Sequence, residues 1–142
     1  MRHRVLPALL ACAALSIPAV AWSATAPADA IKYRKAVMSA MSAHVGAFLA
    51  INFGKVEHQD HLKAHANAIA DLGAQARVLF PPGTDTGDTD ALPLIFKEQD
   101  RFTKLLTDLE VSSAKLRDAA AANDKPGTMA AFKALGESCK GC

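Results

Sequence analysis

From residue 24 onward the apolar positions recur at steps of three and four. In "DAIKYRKAVMSAMSAHVGAFLAINF", Ile31, Met38, Met41, Val45 and Phe48 follow at seven, three, four and three, which draws one helix face. A second stripe passes through Leu62, His65, Ile69, Leu72, Ala76 and Leu79. The pattern then breaks at "FPPGTDTGDTDALP", whose prolines, glycines and turn-forming Asp and Thr predict one long irregular loop. A third stretch runs from about Leu92 to Ala122, with Ile95, Phe102, Leu105, Leu109 and Leu116 on its stripe, and "NDKPG" ends it. From Thr128 a fourth places Phe132, Leu135, Cys139 and Cys142 at three, four and three, so both sulfurs are expected on its buried face. No useful length alternates with period two, and no strands are predicted. The expected fold is all-α, an antiparallel four-helix bundle over residues 24–142, whose interior can enclose a cofactor.

The first 23 residues follow another logic. Arg2 and Arg4 give a positive start, Val5 to Val20 is apolar but broken by Pro7 and Pro18, and small residues follow. This layout predicts a secretory signal peptide over 1–23, with the mature chain starting near Ala24. Stable membrane insertion is not expected, because no run approaches the length of about 20 apolar residues that a spanning helix needs. Cys12 leaves with the signal. Cys139 and Cys142 are then the only cysteines of an exported chain, and one pair closing so short a loop makes no disulfide scaffold.

Composition narrows the partners. The 142 residues are 51% hydrophobic and 21% charged, with a net charge of +2, as expected for one compact domain. Sixteen basic residues against fourteen acidic ones, without a basic run, give no electrostatic footprint for nucleic acid. Nothing pairs a nucleophile with a base, so a substrate-converting enzyme is not indicated.

Two thiols one turn apart suit three chemistries. They can add to the vinyl groups of a haem, cycle as a redox dithiol, or supply half of a zinc site. Zinc needs two further ligands, for which His58, His61 and His65, with Glu57 nearby, are the candidates; as ordinary residues, His58 and His61 begin a solvated helix and His65 is partly covered. A redox dithiol is usually stabilised at a helix N-terminus, whereas these cysteines end a helix. Haem attachment uses Cys-x-x-Cys-His, and the sequence stops at Cys142, where the histidine would follow. His44 is expected to pack rather than to replace it. Met38 could bind iron through its thioether or fill the core beside Met41.

More than the ending carries a likeness. On "KYRKAVMSAMSAHVGA", "LFPPGTDTGDTDALPLIF" and "AFKALGESCKGC", the chain resembles cytochrome c′, the class II four-helix c-type cytochromes of bacterial periplasms, over essentially all its mature length. The resemblance implies one covalent haem c per chain, attached through Cys139 and Cys142. It implies that Arg34 sits beside the haem propionates, that Lys35 contacts the haem, that Asp88 approaches its edge, and that Met38 and Phe80 crowd the distal iron face. In this family the peptide continues through the iron-binding histidine and a short basic tail, so the sequence is expected to be a piece of a longer chain. The implied ligands are nitric oxide and carbon monoxide, with electron transfer to a redox partner protein as a second role, periplasmic location, and a homodimer through the first two helices, whose outer faces carry Tyr33 and Phe53. The alternatives are a low-spin electron carrier with Met38 on iron, and a haem-free dithiol or metal-binding bundle.

Overall fold

The computed structural model describes residues 25–142. The segment expected to be a signal peptide, residues 1–23 with Cys12, lies outside the described residues. Four long helices, α1 (Pro27–Asn52), α2 (Leu62–Gln75), α4 (Gln99–Ala121) and α5 (Lys125–Gly141), are joined by single 3₁₀ turns at Gln59–His61 and Ala76–Val78 and by the one-turn α3 (Leu94–Lys97). Among the described residues there is no strand.

Local chemistry sets the helix ends. Pro27 opens α1, where a missing N–H costs nothing. At its far end Gly54 takes φ +65°, and the Gly54 and Lys55 N–H groups donate to Ile51 and Ala50, closing a Schellman motif. Asn123, at φ 56°, does the same for α4, with bonds from Asn123 to Ala120 and from Asp124 to Ala119. Asp124 then caps α5 by accepting from the Gly127 N–H at 3.0 Å. This cap corrects the expected start at Thr128: α5 begins at Lys125, because Pro126 falls in the first turn and "NDKPG" serves as both stop and start.

The stretch expected to run unbroken from Leu92 to Ala122 is interrupted at Glu98 (φ −105°, ψ 56°). Before the break, Ile95 and Phe96 line one pocket together with Phe80 and Phe102.

The helices pack in sequence, α1 on α2, α2 on α4 and α4 on α5. Phe48, Ile69, Leu79, Leu116 and Leu135 are fully buried in the shared core. α2 and α4 come close at Gly73, where a Cβ would meet the Ser113 hydroxyl. α1 reaches α5 through side chains: Phe48 stacks on Phe132 with centroids 5.3 Å apart, and the Asn52 amide contacts the Met129 sulfur. Towards the other end of α5 stand the cysteines, and Met38 of α1 faces the same space.

Candidate functional site

That space is a cavity of about 250 Å³. Met38 lines it from α1, Phe80 from the start of the loop, Phe102, Leu106 and Leu109 from α4, and Cys139 and Cys142 from α5. It shares Leu92, Ile95, Phe102 and Cys142 with a groove of about 370 Å³ that also touches Leu105. Four of the seven expected site residues, Met38, Phe80, Cys139 and Cys142, thus surround one cavity.

Two expectations need correction. The sulfurs are not in the sealed core: Cys139 and Cys142 are free and exposed as residues, while Ser138 holds the buried position beside Leu135. The reason is a small rotation of α5, which buries Thr128, Ala131, Leu135 and Ser138 and leaves the cysteines on the cavity's open flank. Met38 is not core filler either. It is 39% exposed, because the buried face of α1 runs through Ile31, Arg34, Val37, Met41 and Phe48.

The thiols are nonetheless partly surrounded by protein, and burial pushes both above their ordinary pKa. For Cys142 the neighbouring Cys139 adds to the rise. Both therefore stay protonated at neutral pH, the opposite of the low-pKa thiolate on which redox dithiols depend.

Arg34 lies off the cavity wall and ties down the loop. Only 3% exposed, it donates through Nη1 to the Leu79 carbonyl (3.3 Å) and Thr84 Oγ1 (2.8 Å), and through Nη2 to the Thr84 carbonyl (3.0 Å) and Thr89 Oγ1 (2.6 Å). Its guanidinium lies 4.9 Å from the Phe80 ring centroid, and Phe102 meets that ring edge-on at 4.8 Å and 82°. Burial lowers the Arg34 pKa, but a guanidinium stays charged. Lys35 and Asp88 are brought together: Lys35 Nζ is 3.0 Å from Asp88 Oδ1 in an exposed ion pair between α1 and the loop.

The histidines are elsewhere. His58 stacks on His61 with centroids 5.1 Å apart, and His65 bonds to His44 rather than joining them. Among the described residues, no group of three or more His, Cys, Asp or Glu side chains is arranged to hold a metal ion. The cavity lining contains no imidazole to complete a zinc site with the thiols.

Phe102 and Leu109 are lining residues that the helix stripe presents only as core, Leu106 lines the cavity although it lies off that stripe, and the threonines of "GTDTGDT" are the acceptors that a buried arginine requires. Aromatic and aliphatic faces make most of the wall, Asp90 also lines it, and two protonated thiols one helical turn apart stand on its open flank.

The family model described as Cytochrome C' matches residues 29–142. The cytochrome c' of Alcaligenes xylosoxydans xylosoxydans is 32% identical over 117 residues, covering 82% of this chain and 91% of that one. Among solved structures, cytochrome c prime from Shewanella frigidimarina superposes with TM-score 0.79 at 32% identity, covering 84% of this chain and 94% of that one. A nitric oxide complex of a point mutant of the Alcaligenes xylosoxidans protein superposes with TM-score 0.75 at 31% identity, with the same coverage.

Proposed function

Because this chain belongs to the cytochrome c′ family, we propose that it is an exported, periplasmic protein that takes up small neutral gases, nitric oxide or carbon monoxide, with electron transfer as a second role. Haem c, covalently bound, is its cofactor. The observation that carries the reading is the single cavity shared by Met38, Phe80, Cys139 and Cys142. Cys139 and Cys142 would hold the haem through thioethers. When bound, the haem supplies an iron that ligates a diatomic gas and changes oxidation state.

The remaining work falls to the chain. Phe80 and Phe102 offer no hydrogen-bond partner and Met38 only a weak thioether acceptor, so water and anions entering between them would lose hydration with little replacement. A small neutral gas loses little by comparison, and Met38, with three rotatable bonds, can move aside for it. Arg34 would keep Phe80 in place by fixing the loop, with the propionates as its further partner. Lys35 and Asp88 would flank the haem edge with opposite charges. Tyr33 and Phe53, 56% and 60% exposed, support association of two copies through the outer faces of α1 and α2.

A second reading, a low-spin electron carrier, draws on the same Met38, because its side chain lines the cavity instead of filling the core. Expression of the gene product with a haem attachment system tests both. A mass increase of one haem and a reduced spectrum that changes on adding carbon monoxide are expected. A low-spin spectrum that becomes high-spin in Met38→Ala would establish the second reading instead. No haem in the mass spectrum would refute both.

A further inference from the structure

Between α1 and α2, away from the cavity, His44 and His65 meet head-on. Their Nδ1 atoms are 2.9 Å apart and their ring centroids 5.2 Å apart, with planes inclined at 52°. The centroid separation exceeds the nitrogen separation by about two ring radii, so both nitrogens lie nearly on the line joining the rings. Such a line admits one proton. One Nδ1 must carry the hydrogen and the other must present its lone pair, at a length that fits an N–H···N bond. A metal ion does not fit, since both Nδ1 atoms point along that line and an ion between them would sit at half their 2.9 Å separation, well short of the about 2.0–2.1 Å that each bond needs.

The surroundings oppose further charge. Two potential cations act against further charge on His65, His44 from α1 and His61 from the 3₁₀ turn before α2. Burial acts in the same direction and lowers the His65 pKa.

We propose that His44 and His65 form a one-proton joint that locks α1 to α2 at neutral pH and opens when the pair takes up its second added proton in mild acid. At neutrality one ring donates from Nδ1 and the other accepts at Nδ1 while carrying its hydrogen on Nε2. A first added proton goes to the free Nε2 of the donor ring and leaves the bridge intact, now charge-assisted. The second has only the accepting Nδ1 to occupy. That sets N–H against N–H and two cations in contact, so the rings must part.

The joint connects the elements that carry the cavity's cover. Met38 lies six residues before His44 on α1, and α2 continues through Ala76–Val78 to Phe80. In the unfolded chain both imidazoles protonate near the ordinary value of 6.5. The folded pair resists the second proton, so the folded state loses stability as pH falls below about 6.5 and on through the folded value.

The test is a ¹⁵N histidine titration from about pH 8 to about pH 4.5, with amide hydrogen exchange in α1 and α2 followed in parallel. Wild type should show two macroscopic steps for the pair, the lower one below the ordinary value of 6.5. Corrected for the intrinsic slowing of amide exchange in acid, protection in both helices should fall by roughly tenfold or more across that lower step. His65→Gln can still bond to His44 but cannot take the second proton, so its helices should not loosen there. Independent titration of both rings at the ordinary value would overturn the proposal, as would parallel loosening of His65→Gln and wild type. Should the variant fail to fold, the wild-type titration alone decides.

Discussion

The Arg34 guanidinium lies 4.9 Å from the centroid of the Phe80 ring while its Nη atoms bind Thr84 and Thr89 farther along the loop. One buried side chain therefore positions both the loop and the aromatic wall of the cavity. Phe102 touches the same ring from α4, so the wall is clamped by a cation and an edge together.

Replacing that cation should be costly. Arg34→Met keeps much of the side-chain volume but removes four charge-assisted hydrogen bonds, leaving the Thr84 and Thr89 groups to find water. A loss of about 2–4 kcal/mol is expected, read from urea midpoints, with faster proteolysis within residues 83–90. Arg34→Lys should recover little of it, because a point charge cannot span two threonines.

The ion pair one residue later should behave differently. Lys35 and Asp88 are 3.0 Å apart, but the Asp88 side chain is 95% exposed. Solvent screens such a pair, so Lys35→Gln should change stability by no more than a few tenths of a kcal/mol, and added salt should erase even that. A double-mutant cycle with Asp88→Asn gives the coupling, and a value near that of a buried pair would overturn the assignment.

Gly73 marks the tight crossing of α2 on α4. A methyl group there would stand 2.6 Å from Ser113 Oγ and 3.3 Å from its Cβ. Gly73→Ala should therefore destabilise by about 1–3 kcal/mol despite its better helix propensity. Gly73→Ala combined with Ser113→Ala should recover part of the loss, and thermal midpoints of the single and double variants check this.

Hydrophobic spacing alone located the four long helices, because each must bury a stripe and the loop's prolines and glycines interrupt the period. It placed the rotation of α1 less well. Arg34 is buried and Met38 is not, since hydropathy cannot show that a cation has threonine acceptors waiting in a distant loop, or that an apolar face looks into a cavity instead of a helix. Phe102 was legible as an apolar residue but not as a wall. A cavity and a core demand the same residue types, and only the packing of α4 against the loop distinguishes them. The break at Glu98 has no signal in its neighbours, which are ordinary helix formers.

The thiols give a pH prediction for the haem-free chain. Burial raises both above the ordinary value of 9.0, so between that value and the folded one the native state holds protons that the unfolded chain has released. Their contribution to stability is complete below about pH 9 and is lost as pH rises through the folded value. Denaturation midpoints of wild type should fall more between about pH 8 and pH 10 than those of a Cys139→Ser, Cys142→Ser variant. Equal falls would mean that the sulfurs are fully solvated.

Phe102 gives the sharpest test of the cavity's cover in the haem-loaded protein. Its edge-on contact holds the Phe80 ring against the cavity, and an aromatic pair of this kind contributes about 0.5–1.5 kcal/mol beyond its burial. Phe102→Leu keeps the wall apolar but removes that contact, leaving Arg34 as the only clamp. If gas entry requires the Phe80 ring to swing, the barrier should fall by roughly the lost contact, and carbon monoxide should bind about two- to tenfold faster. Dissociation should change less, since the gas–iron bond is untouched. Flash photolysis separates the two rates. An unchanged association rate would mean that gas reaches the iron past Met38 instead, and Met38→Ala should then be the variant that quickens it.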